Sequence, residues 1–255
     1  VAASENTADS AGQPWAGRSF EPNHAAHDDG SADGRLIEAL RRFRSRELGE
    51  ADVVDAARGA RFLIPLLAHL GEAGENEHGH LVDKTQELAI VTVSAPDGRR
   101  ILPVFTSVDS MRAWDPLARP VPANAERIAL AAASENTDLV VIDATSDTEF
   151  VIRRPALWSI AQAAEWVPSY LDPVVLDEFA RTASHEDAVR RIELAAGDPD
   201  ARLAGPELIV RLALTPGLTR ADLDAILARL QERWASSEVI AERVDSLKVS
   251  LVASA

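Results

Sequence analysis

The sequence predicts an α+β protein: two mixed-sheet domains with helices packed on the sheets, preceded by a disordered N-terminal tail. Three observations carry this reading. Apolar runs of strand length stand at Arg61–Leu67, Leu88–Val93, Ile101–Phe105 and Leu139–Ile142. Stretches with helical spacing and capping residues lie among them. The resulting orders, β-ββ-α-α-β and then β-β-α-β, lack the regular alternation of a doubly wound nucleotide-binding fold.

Each element has a local cause. Residues 1–32 are rich in Ala, Ser, Asp, Asn and Gly and hold few apolar residues, which reads as a tail. Only Trp15 and Phe20 offer it apolar mass. Asp33 caps a helix over Gly34–Leu48 that has Leu36, Leu40 and Phe43 on one face; a short helix follows at Glu50–Ala57. Arg61–Leu67 reads as a buried strand, and Gly71–Lys84 as an exposed loop. Leu88, Ile90, Val91 and Val93 then alternate as a strand. Pro96-Asp97-Gly98 turns the chain, and Ile101, Leu102, Val104 and Phe105 form the expected hairpin partner.

A helix over Val108–Trp114 precedes the proline-bearing extended segment Arg119–Pro122. Glu126–Ser134 is helical, Leu139–Ile142 a central strand and Phe150–Ile152 a short one. Pro155 suits the first turn of a helix that runs to Gln162. Two prolines in Trp166–Pro173 mark a boundary, so the domains are expected at 33–168 and 169–255. In the second, Val174–Thr182 is a helix, and Val189–Leu194 and Glu207–Leu214 are strands. Thr219 caps a helix with Leu223, Ile226, Leu227, Leu230 and Trp234 along one side, and Leu247, Val249 and Leu251 close the sheet. That spacing makes Trp234 a packing residue.

Composition removes several function classes. The chain has no cysteine, which excludes disulfides, thiolate nucleophiles and cysteine metal sites. Its net charge of −15 repels phosphate backbones and anionic membranes, so no nucleic acid and no membrane partner is expected. Arg41, Arg42, Arg44 and Arg46 are a local exception, read as a solvated helix face in preference to a phosphate patch. The apolar run Phe62–Leu70 falls far short of the ~20 residues of a membrane span, and the N-terminal residues lack the pattern of a secretory signal. The cytoplasm is the default location.

The phrases ILPVFTSVDSMRAWDP, RPVP, FVIRRPALWSIAQ, LIVRLALTPGLTRADLDAILARLQERW and AERVDSLKVSLV resemble the SseB family, the enhanced serine sensitivity proteins, and most of all its actinobacterial branch. The similarity runs from about Trp15 to the C-terminus, as an N-terminal SseB domain followed by a C-terminal one. It supports the fold and the two-domain division. It supplies no catalytic set, since the family is named for a growth phenotype.

No phosphate-cradling glycine motif and no Gly-x-Ser-x-Gly elbow occurs. His78 and His80 beside Glu75 and Glu77, and His24 and His27 beside Asp28 and Asp29, are the only groupings with metal-ligand chemistry; both read as solvated histidines, so no metal and no cofactor is expected. His69 reads as a strand residue and His185 as a linker residue. Asp143 with Asp147, and Asp198 with Asp200, are carboxylate pairs of the kind acid–base chemistry needs; turn formation is the commoner use of Asp143. Trp114, Trp158 and Trp166 are packing anchors or the wall of a cleft. The candidate ligand or partner cleft is Phe105, Thr106, Ser107, Trp114 and Trp158, where a helix N-terminus would offer free N–H groups unless Ser107 caps it.

The functional expectation is a non-enzymatic protein that binds a protein partner or a small metabolite. A second reading, from the family name alone, is an enzyme or metabolite-responsive regulator linked to serine metabolism. A third is an oligomeric scaffold, a homo-oligomer joined through the C-terminal domain.

Overall fold

The computed structural model describes residues 28–69, 74–75, 81–82, 87–95, 98–137 and 139–252. Most of the expected tail, with Trp15, Phe20, His24 and His27, lies outside the described residues, as do His78, His80 and the Pro96-Asp97 part of the turn.

Helix α1 (Gly34–Arg44) opens on Asp33, whose carboxylate accepts from the N–H groups of Arg35 and Leu36 at 2.8 and 3.1 Å. Helix α2 (Glu50–Arg58) follows a tight turn and leads into β1 (Arg61–His69). The two-residue strands β2 (Gly74–Glu75) and β3 (Leu81–Val82) pair with each other. Next come β4 (Glu87–Ile90), β5 (Val93–Ser94), β6 (Arg100–Val104) and α3 (Val108–Trp114). They precede β7 (Arg119–Asn124), α4 (Ala125–Ser134), β8 (Leu139–Ile142), β9 (Phe150–Arg153) and α5 (Arg154–Ala161). The remainder is α6 (Pro173–Ala183), β10 (Val189–Ala196), β11 (Leu208–Leu214), α7 (Arg220–Ala235), α8 (Glu238–Arg243) and β12 (Leu247–Val252).

The chain is α+β, as its sequence predicts. One antiparallel sheet has the order β4-β1-β7, and a mixed sheet has the order β5-β6-β8-β9, with β6 and β8 parallel. Reciprocal N–H···O bonds between Leu63 and Phe105, at 2.8 and 2.9 Å, stitch the two together. Pro120 and Pro122 stand on the edge strand β7, where a missing N–H costs no ladder bond if it faces away from β1. The third sheet, β10-β11-β12, is antiparallel and then parallel, with α7 in the crossover.

The expected hairpin needs correction. Only Val93 and Ser94 pair with Ile101 and Arg100, while Glu87–Ile90 pairs with β1 instead, Ile90 opposite Leu66. Alternation marks a strand's two faces but not its partner, and the long strand β1 offers an edge that β6 does not. Gly98, at φ 84°, donates to the Ala95 carbonyl at 2.9 Å.

Two large apolar clusters form. One gathers α1, α2, α4 and α5 around β1, β6, β8 and β9; Phe43 meets Phe150 edge-on at 5.2 Å within it. The other joins α6, α7 and α8 to one face of the C-terminal sheet. Ile226, Leu230 and Trp234 are its contribution from α7, and Thr219 caps that helix through Asp222 as expected. Trp234 stacks edge-on to Phe179 at 5.1 Å and donates from Nε1 to Thr182 Oγ1 at 2.9 Å. Outside α7, Glu186 receives Arg229 at 2.6 Å and Arg233 at 2.8 Å, which pins the helix to the turn after α6.

Trp234→Ala is therefore expected to cost about 3–5 kcal/mol in urea unfolding. Trp234→Phe keeps the aromatic contact and loses the hydrogen bond, for about 1–2 kcal/mol. Equal stability of Trp234→Ala and the parent protein would show that this face does not hold the C-terminal part together.

Candidate functional site

Four of the five expected cleft residues come together. Phe105 and Trp114 lie 5.2 Å apart between ring centres, in a small apolar cluster with Leu63, Met111 and Ala118. Phe105 is fully buried. Thr106 is buried as well, and both its N–H and its hydroxyl donate to Asp143, at 2.8 and 2.7 Å. Ser107 caps α3 by accepting from the Ser110 N–H at 3.0 Å. Trp158 stands elsewhere, on α5.

Asp143 follows β8 at the carboxyl ends of the parallel pair β6 and β8, with φ 46°. Its Oδ1 also accepts from Ser110 Oγ at 2.8 Å, and its Oδ2 from Thr148 Oγ1 at 2.9 Å. Four donors saturate the carboxylate, so it acts as the hub that ties α3 and the β8–β9 turn to the sheet. Asp143 also forms the turn expected of it, its carbonyl accepting from the Ser146 N–H at 3.1 Å, while its side chain adds the hub. A single sequence holds no signal that Asp143 meets Thr106 and Ser110, because those partners are more than thirty residues away.

Trp158 borders an open groove of about 420 Å³ lined from α5, the loop after it, α6 and α8. Pro155, Trp158 and Ser159 come from α5, Trp166 and Val167 from the following loop, and Pro173, Glu242 and Arg243 from α6 and α8. Arg58 fixes the α5 side by donating to the Ser159 carbonyl and hydroxyl at 2.9 and 3.0 Å. Asp172 fixes the opposite side: it caps α6 through the Val174 N–H at 2.8 Å and receives Arg243 at 2.8 Å. Trp158 is 45% exposed, Val167 in the same groove is exposed too, and so are Leu171 and Val174 where the following loop enters α6. Such a run of exposed large side chains departs from the single scattered ones that need no explanation.

Beneath this surface the two large clusters meet through charge. Arg153, at the end of β9, is buried and donates to Asp198 Oδ2 at 2.7 Å and Asp245 Oδ2 at 3.0 Å. Arg99 reaches the same Asp245 at 2.9 Å. Glu207 Oε2 accepts from the Asp245 N–H at 2.6 Å, while its Oε1 and the buried Ser169 hydroxyl make no hydrogen bond. Glu50, the first residue of α2, receives the Tyr170 hydroxyl at 3.0 Å. Burial pushes the Glu50 carboxyl up to about 7 against the opposing Tyr170 bond, and burial likewise raises Glu207. The Tyr170 hydroxyl is raised by burial and by Glu50.

The arginines of α1 bind to the chain's own backbone and acids. Arg41 pairs with Glu38 and Arg42 with Glu47, Arg44 donates to the carbonyls of Glu149 and Asp200, and Arg46 meets Asp200 at 2.6 Å. No group of three or more His, Asp or Glu among the described residues is arranged to hold a metal ion, and no helix there is long and apolar enough to cross a membrane. His185 is exposed.

The segment that builds α1 through most of α5 decides the family. Residues 36–159 match the SseB protein N-terminal domain. This part of the chain belongs to the SseB family. The match ends at Ser159, on the α5 wall of the groove, so the SseB domain supplies Pro155, Trp158 and Ser159 while the rest of the lining follows it in sequence. No curated protein and no solved structure matches the chain.

The seam has a pH signature with a definite sign. Folded Glu50 holds its proton more tightly than the unfolded chain does, so its contribution is complete below the ordinary carboxyl range near 4.5 and is lost as pH rises through about 7. The loss is at most about 3 kcal/mol. Glu50→Gln should flatten the stability profile between pH 4.5 and 7. An unchanged slope in that variant would assign the pH dependence to other groups.

Proposed function

We propose that the protein acts without catalysis, by binding another protein through the groove between α5 and α8. The observation that carries this is the wall of Trp158, Trp166 and Val167, together with the exposed Leu171 and Val174 where the same loop enters α6. A small metabolite would leave much of that apolar surface in water, whereas a partner's side chains would cover it. Aromatic residues beside prolines also form walls that take extended peptide segments. Asp143, Asp198 and Asp245 are each taken up by internal hydrogen bonds and ion pairs, which favours a structural use of these carboxylates. The SseB domain brings one wall, and the C-terminal helices bring the other.

A photo-crosslinking residue placed at Val167 tests this in living cells. It should yield a discrete protein adduct, one that Trp158→Ala reduces by about tenfold, the scale of a lost interface aromatic. The same probe at exposed Leu117, in the α3–β7 turn and not part of the groove lining, should not give that adduct. A folded protein with no adduct from Val167 would overturn the proposal, and an adduct made only of a second copy of this chain would replace the partner with a homo-oligomer.

A further inference from the structure

Resting on the proposal that the groove binds a protein, we infer that the occupant is a cationic segment: an extended peptide with an arginine or lysine beside a proline or aromatic residue. The first argument is the placement of Trp158. Its indole stands between two depressions, one holding Arg154 with the small residues of α4, the other being the groove. Arg154 lies over the ring at 4.7 Å and is kept there by its bond to the Val244 carbonyl at 2.7 Å. The chain itself thus shows this indole taking a guanidinium. The groove side of Trp158 offers a second surface to a cation, with Trp166 nearby.

The second argument is charge. Glu165 and Glu242 line the groove, are exposed, and pair with no cation among the described residues. Asp172 and Arg243 also line it but neutralise each other at 2.8 Å. Two carboxylates at an otherwise aromatic and proline wall therefore await a partner's positive charge. An acidic or neutral apolar segment would have to bury them or leave them facing its own charge, which costs affinity. The whole chain, at −15, steers the same class of partner towards itself. The prolines Pro155 and Pro173 and the two indoles then fit the flat, extended backbone of such a segment.

Fluorescence polarisation with two labelled peptides reads this directly: a proline-rich peptide with two arginines and a tryptophan, and the same peptide with glutamate for each arginine. The arginine peptide should bind, weaken at least about tenfold between 50 mM and 500 mM salt, and lose about tenfold with Glu165→Gln plus Glu242→Gln. Both sites are exposed, so circular dichroism of the double variant should match the parent. Trp158→Ala should lower binding by a similar factor, and Trp158→Phe should recover part of it. Equal binding of both peptides, or no effect of the glutamine pair, would overturn the inference. If neither peptide binds at about 1 mM, where even weak recognition of about 4 kcal/mol registers, the inference also falls. A Val167 cross-linked adduct would then still stand for the groove as a protein-binding surface, while the absence of that adduct would remove both.

Discussion

The structure depends on the ion pair between Arg153 and Asp198. Arg153 ends β9 of the SseB domain; Asp198 sits in the loop that joins β10 to β11, and both are almost wholly buried. Taking two charges out of water is costly unless further hydrogen bonds satisfy them. Here they are satisfied. Asp198 also accepts from the N–H groups of Arg202, Leu203 and Ala204, at 3.3, 2.8 and 3.3 Å, so the carboxylate shapes the loop it belongs to. Arg153 spends its remaining donors on Asp245 and the Gly205 carbonyl. An added Cβ at Gly205 would meet the Gly197 carbonyl oxygen at 2.6 Å, so the loop closes this tightly only because no side chain stands there.

That loop is why the two halves do not behave as separate bodies in the packing. Ala201, at φ 48°, accepts from the Val151 N–H at 2.9 Å and is buried in the SseB-domain core. Arg44 and Arg46 clamp the same loop from α1. Arg154, next to the pivot, holds the end of α8 through the Val244 carbonyl. The groove borders α5 and α8 together, and the Arg154 bond to the Val244 carbonyl ties those two helices to each other. Removing the Arg153 guanidinium would leave Asp198 and Asp245 buried without their shared cation, and the two walls of the groove would lose their common support.

What the sequence made legible was local. Asp33 and Thr219 revealed helix starts because a cap and the N–H it satisfies lie within three residues. Trp234 was placed in the core by its spacing along α7. The pairing of β4 with β1 was not legible, since strand patterns fix faces and leave partners open. Asp198 read as one of a carboxylate pair with Asp200, since nothing beside it in the chain announces Arg153, 45 positions earlier. The short helix α8, six residues long, has too little periodicity to stand out. Trp158 shares its groove with Glu242 and Arg243, which the chain order keeps far from it and which no local pattern could announce.

The same distinction separates the two sites that the sequence joined. Around Phe105 the hydroxyls and N–H groups of Thr106 and Ser107 are answered by Asp143 and by capping, so every polar group that could have met a ligand is already used to hold α3. Around Trp158 the reverse holds. Arg58, Asp172 and Arg154 tie the backbone and the flanks, and what remains toward solvent is aromatic surface with two uncommitted carboxylates. Polar groups consumed internally make a rigid scaffold; apolar and charged groups left unpaired make a surface that gains by being covered. On that physical ground the proposed binding face is the α5–α8 side, while the Asp143 hub belongs to the frame of the SseB domain.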